Sequence, residues 1–88
     1  MRRAFTTTKF DRRLVVFVRS HLDLSEHVQV VIDKIIKNPF DKSLKTHKLS
    51  GQLSNCFASN ITHVYRIVFT LNEKELCFID IGSHDEVY

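Results

Sequence analysis

The chain has 88 residues, 43% of them hydrophobic, and a formal net charge of +3. That length holds a single domain, 1–88, with one small core and little room for a deep cavity. No apolar run approaches the roughly 18 residues of a membrane span, and no apolar signal core follows Arg2-Arg3, so neither a membrane nor secretion is expected and the protein reads as cytoplasmic.

Residues 2–6 are short and mixed enough for a first strand. Thr8 followed by Asp11 has the spacing of a helix N-cap, and Phe10, Leu14, Phe17, Val18 and His21 then fall on one helical face. Asp23 followed by Glu26 repeats the capping pattern. Leu24, Val28, Val31, Ile32 and Ile35 form a second apolar stripe, and Pro39 stops that helix near Lys37. The two helices, joined around Leu22, should form an antiparallel hairpin.

After Gly51 the apolar period changes to two. Strands are expected over residues 53–61, 64–71 and 75–81, with Asn72-Glu73-Lys74 as the last hairpin turn. Tyr65, Ile67, Phe69, Leu71, Cys77, Ile79 and Ile81 make one wholly apolar face, expected to lie on the helices. The other face is mixed and carries Val64, Arg66, Val68, Thr70, Leu76, Phe78, Asp80 and Gly82. Counting through the turns sets Arg66 between Asn60 and Asp80. The expected architecture is α+β, a helix hairpin on a small antiparallel sheet.

Charge is unevenly spread. Arg2, Arg3, Lys9, Arg12, Arg13 and Arg19 face only Asp11 within the first twenty residues, whereas the last eighteen hold Glu73, Glu75, Asp80, Asp85 and Glu86 against Lys74. A basic front suits a polyanion or an acidic partner, or is simply a solvated helix face. Cys56 and Cys77 lack metal-ligand spacing and read as buried free thiols in a reducing compartment, with a cross-strand disulfide as the alternative. No histidine or cysteine cluster has zinc spacing, and no phosphate-cradling glycine loop is present, so neither metal nor cofactor is expected.

The order of elements and the tail Gly82-Ser83-His84-Asp85-Glu86-Val87-Tyr88 resemble the RelE/YafQ-like toxins of bacterial toxin–antitoxin systems. The resemblance rests on Leu49-Ser50-Gly51 before the sheet, Tyr65-Arg66-Ile67-Val68-Phe69 within it, and Gly82, His84 and Tyr88 at its end. The basic loop Lys45-Thr46-His47-Lys48-Leu49 resembles the YafQ branch. It implies a RelE-like fold and a metal-independent endonuclease that cuts mRNA on the ribosome and is silenced by a cognate antitoxin. Arg66 would hold the scissile phosphate, His84 would transfer a proton, and Tyr88 would touch substrate. Lys45, His47, Lys48 and His63 would bind RNA.

The chemistry needs little else. RNA cuts itself when its 2′-hydroxyl is aligned with the adjacent phosphate, given charge stabilisation and a proton for the leaving oxygen. A guanidinium forks onto two phosphoryl oxygens and stays charged. An imidazole, with an ordinary pKa of roughly 6.5, suits the proton.

The sequence departs from the family at three points. Ala58 and Asn60 stand where the RelE branch has lysines, Asn60 also replaces a YafQ histidine, and Asp80 replaces a YafQ arginine. An acid paired with Arg66 would weaken cutting. The alternatives are a ParE-like toxin that binds DNA gyrase and cuts nothing, and an attenuated toxin that only binds its antitoxin.

Overall fold

The computed structural model describes residues 2–51 and 55–87. Strand β1 (Arg3–Thr6) leads into helix α1 (Thr8–Ser20). One 3₁₀ turn at Leu22–Leu24 connects it to helix α2 (Ser25–Lys37). The rest is the sheet: β2 (His47–Lys48), β3 (Phe57–Asn60), β4 (Tyr65–Leu71) and β5 (Glu75–Ser83), then a short helix α3 (His84–Val87).

The cap of α1 is Thr7 rather than Thr8. Its Oγ1 accepts from the amide of Phe10 at 3.1 Å, and Asp11 lies in the first turn. The Asp23/Glu26 capping pattern is not used, because Asp23 is taken up in the 3₁₀ turn and Leu24 is the N-cap of α2. Asn38 turns extended and Pro39 follows, ending α2 at Lys37.

The five strands run in the order β1-β5-β4-β3-β2. All neighbours are antiparallel except β1, which pairs parallel to β5 through Arg3↔Glu75 to Thr6↔Phe78. The fold is therefore α+β with a mixed, largely antiparallel sheet. The parallel strand is a correction to the all-antiparallel sheet. Residues 7–74 connect the two strands, far more than the dozen or so that a parallel pair needs, and β1 takes the open edge of β5.

The main core lies between the helices and one sheet face. Phe10 and Phe17 of α1 and Val28, Val31 and Ile35 of α2 pack with Ile67, Phe69, Leu76, Phe78 and Ile81, while Leu14 and Ile32 pack at its margin. Phe10 stacks on Phe78 at 5.2 Å between ring centroids. Each such side chain contributes roughly 1.5–3 kcal/mol on burial, so this layer dominates stability. Val18, expected in the core, is only half-buried.

The expected face of β5 is half wrong, and the cause is a β-bulge. Ile67 pairs with Ile81 and Val68 with Asp80, but Phe69 pairs with Phe78. One extra residue on β5 shifts the alternation. Leu76 and Phe78 thus join the helix-side core, and Ile79 falls in a second cluster on the far face. That cluster holds Cys56, Ala58, Val68 and Val87, and Leu49 packs against it. Cys56 is buried and Cys77 partly so, both free thiols; burial raises the pKa of Cys56. The strand expected over residues 53–61 runs from Phe57 to Asn60, and Leu53 lies outside the described residues. No helix among the described residues is long and apolar enough to cross a membrane.

Candidate functional site

Alternation within β4 sends Tyr65 toward the helices and Arg66 to the far face. Tyr65 Oη lies 2.9 Å from His21 Nε2, and His21 Nδ1 lies 2.9 Å from the carbonyl of Phe17. A carbonyl only accepts, so Nδ1 carries a proton, and in the neutral ring Nε2 accepts from the tyrosine. This contact ties the end of α1 to the strand that carries Arg66.

Arg66 sits in a central strand, opposite Asn60 on β3 and Gly82 on β5. It is half-buried. Its Nε and the Oδ1 of Asn60 are both shut off from solvent, and that Oδ1 accepts no hydrogen bond among the described residues. The next pairs along are Ala58↔Val68 and Val68↔Asp80. The apolar patch of Val68, Ala58 and Val87 follows Arg66 along the same sheet face, where an apolar neighbourhood strengthens the field of a charge.

The expected Arg66–Asp80 pairing is therefore incorrect. The count falls two residues short on β5: the turn pairs Leu71 with Leu76 instead of Glu75, and the bulge after Phe78 adds one more residue, so Gly82 faces Arg66. Asp80 is 4% exposed and is engaged by α1. Arg13 Nε lies 2.6 Å from its Oδ1, Lys9 Nζ 3.3 Å from its Oδ2, and the amide of Ile81 donates to Oδ1 at 2.8 Å. Much of the basic front is likewise spent within the fold. Arg2 donates to the carbonyl of Asn72 at 2.6 Å, and Arg3 lies over the Phe5 ring. Arg12 and Arg19 remain exposed.

His47 belongs to β2, opposite Ala58, so the register puts it on the Arg66 face, one row away on the edge strand. It is exposed, and its Nδ1 lies 3.3 Å from the carbonyl of Lys45. Lys45 adopts a left-handed conformation, φ 51°, that ends the 3₁₀ turn at Lys42–Leu44 and returns the chain to the sheet. Lys48 pairs with Phe57, whose ring stacks on Phe69 in the core, so the register puts Lys48 on the helix side and away from Arg66.

His84 opens α3 directly after Ser83, and Ser83 pairs with Tyr65. It therefore stands beside the start of β4. The imidazole is exposed, with Nδ1 3.6 Å from Asp85 Oδ1. His63 lies exposed in the β3–β4 turn, at the same end of the sheet. Thr62 Oγ1 holds that turn by accepting from the amides of Val64 and Tyr65. Tyr88 lies outside the described residues. Arg66, His47, His84 and His63 thus gather around one face and one end of the sheet.

Sequence reasoning missed α3 and its anchors. The amide of Ser83 donates to Glu86 Oε1 at 2.8 Å, and the amide of Glu86 donates to Ser83 Oγ at 3.3 Å. This is a reciprocal capping box, legible as Ser83-x-x-Glu86. Those Ser83 bonds, with a smaller contribution from Arg13, hold the Glu86 carboxyl below its ordinary value. Arg13 Nη2 lies 3.8 Å from Glu86 Oε2. Among the described residues no group of three His, Cys, Asp or Glu side chains is placed to hold a metal ion.

A family model described as bacterial toxin of type II toxin–antitoxin system, YafQ, matches residues 2–88. No curated protein sequence matches significantly. Among solved structures, the chain resembles YafQ from E. coli strain BL21(DE3), at 16% identity and TM-score 0.86, over 100% of this chain and 99% of that one. It resembles the E. coli DinJ-YafQ complex at 16% identity and TM-score 0.84, with the same coverage. A metal-bound toxin from Helicobacter pylori is 27% identical, with TM-score 0.78 over 100% of both chains.

Proposed function

The chain belongs to the YafQ family of toxins of bacterial type II toxin–antitoxin systems, and from that premise we propose that it is an endoribonuclease cutting mRNA on the ribosome. The observation that carries this reading is the setting of Arg66. It stands in the middle of the sheet between Asn60 and Gly82, beside an apolar patch, with His84 at the adjoining strand end and His47 on the same face. A guanidinium held in that way is preorganised for a phosphate and requires little reorganisation as charge develops.

In this mechanism the backbone phosphate of RNA seats on Arg66. The 2′-oxygen attacks phosphorus in line, the bond from phosphorus to the 5′-oxygen breaks, and His84 delivers a proton to that leaving oxygen. A 2′,3′-cyclic phosphate and a 5′-hydroxyl result. The proton of the 2′-hydroxyl passes to solvent. Lys45, His47 and His63 hold the flanking strand by charge and hydrogen bonding. Lys48 is the weakest of the expected RNA contacts, because the register sets it on the other face. Tyr88, four positions after His84, would stack on a base.

The partner is an antitoxin, in keeping with the solved E. coli complex of YafQ with DinJ. The exposed Arg12 and Arg19 suit acidic residues on it. The apolar groove of Phe5, Leu14, Ile32 and Ile36 between β1 and the helices suits its apolar side chains.

The test is induction in cells with primer extension on a reporter mRNA, followed by end-group analysis. Cleavage yielding cyclic phosphate ends, lost in Arg66→Ala and suppressed by the neighbouring-gene antitoxin, supports the reading. Growth arrest without cleavage, together with inhibited DNA supercoiling, would replace it with gyrase binding.

A further inference from the structure

The Arg13 side chain contacts both the end of β5 and the short helix that follows it. Its Nε lies 2.6 Å from Asp80 Oδ1 and donates to the carbonyl of Ile81 at 3.3 Å. Its Nη2 reaches Glu86 of α3. The same guanidinium approaches Gly82 closely, where an added Cβ would sit 2.8 Å from Nη2 and 3.1 Å from Glu86 Oε1. A third of the Arg13 side chain is exposed and Asp80 is nearly sealed, so the arginine is fixed at its buried end.

The geometry matters because α3 is only four residues long. A helix that short does not hold itself together, since nucleation is unfavourable and few internal bonds repay it. Two things outside its backbone fix it: Val87, packed on Val68 and Ala58, and the Ser83/Glu86 capping box. Arg13 grips the acid of that box. His84 lies between the two capping residues, so its position follows theirs.

We infer that Arg13 is a positioning residue, a clamp from α1 that fixes α3 against β5 and thereby sets His84 beside Arg66. The inference rests on the ribonuclease reading for its functional consequence, while the clamp itself is independent of it. Arg13 acts through His84 and touches no substrate. A general acid displaced by about 1 Å can cost on the order of 10²-fold in rate, so a surface ion pair of small energy has a large catalytic effect here.

The experiment combines hydrogen exchange with a double-mutant cycle on the full chain. In Arg13→Ala, the amides of residues 83–87 should exchange at least about tenfold faster than in the wild type, with those of β4 unchanged. Ribosome-dependent kcat should fall on the order of 10²-fold with KM held, and Arg13→Ala should add nothing in a His84→Ala background. Glu86→Gln keeps an acceptor for the Ser83 amide but releases Arg13. It should shift both readouts in the same direction, and it serves if Arg13→Ala fails to fold. Unchanged exchange at residues 83–87 in Glu86→Gln, or a further loss of kcat when Arg13→Ala is added to His84→Ala, would overturn the clamp. If His84→Ala cuts as fast as the wild type, the ribonuclease assignment fails instead, and the exchange data alone decide on Arg13.

Discussion

Arg13 and Asp80 form an ion pair, 2.6 Å from Nε to Oδ1, on the side of β5 that packs against α1. The acid expected opposite Arg66 is bound elsewhere, and Gly82 stands opposite Arg66. Replacing Asp80 should therefore damage the fold instead of releasing the site. Asp80→Ala strands the buried amide of Ile81 and frees Arg13, which can hydrate because it is a third exposed. The expected loss is roughly 1–3 kcal/mol, below that for breaking a fully buried pair. Urea denaturation of the isolated toxin measures it, and growth inhibition should weaken alongside.

Arg66→Lys should leave the melting temperature within a few degrees and still lose on the order of 10²–10³-fold in cleavage. A lysine keeps the charge but cannot fork onto two phosphoryl oxygens. Mapped cleavage in a ribosomal assay gives the number. A lysine variant as active as the wild type would remove the bidentate contact from the mechanism.

His84→Ala should reduce kcat by about 10²–10⁴-fold, the range for one general acid, without weakening RNA binding. His47→Ala should do the opposite, raising KM with kcat kept, because His47 sits one row from Arg66 on the edge strand. Lys45→Ala should lower the slope of log affinity against log salt by about 0.7 for single-stranded RNA. Equal effects of His47→Ala and His84→Ala on kcat would place the acid wrongly.

Acid should loosen α3. The Glu86 carboxyl is held below its ordinary 4.5, first by the Ser83 amide and hydroxyl and then by Arg13, with His21 adding a smaller attraction. A carboxyl lowered in the folded state stabilises fully above its unfolded value of 4.5, and that stability fades as pH falls through the lowered folded value. The protection of the amides of residues 83–87, corrected for the intrinsic exchange rate at each pH, should fall as pH drops below about 4.5 in the wild type, and that fall should be absent in Glu86→Gln.

Local pattern determined a good deal. The apolar stripes of residues 10–17 and 28–35 placed both helices, and the period of two placed β4, with Tyr65 inward and Arg66 outward. The short turn between β3 and β4 has little freedom, so Asn60 could be set opposite Arg66 by counting. Order and spacing of weak motifs in the second half pointed to the toxin family. Tertiary structure decided the rest. The bulge on β5 exists because the strand must keep both Phe78 and Ile81 in the core across an odd number of residues, and no local signal announces it. Once present, it reverses the faces of Cys77 and Ile79 relative to Ile81 and, together with the Leu71↔Leu76 register of the turn, moves Asp80 away from Arg66. The parallel pairing of β1, the return of His47 to the sheet edge and the contact of Arg13 with α3 join residues that lie 11 to 73 positions apart. Contacts of that range are set by packing of the whole chain, because no short turn or single helix fixes their partners beforehand.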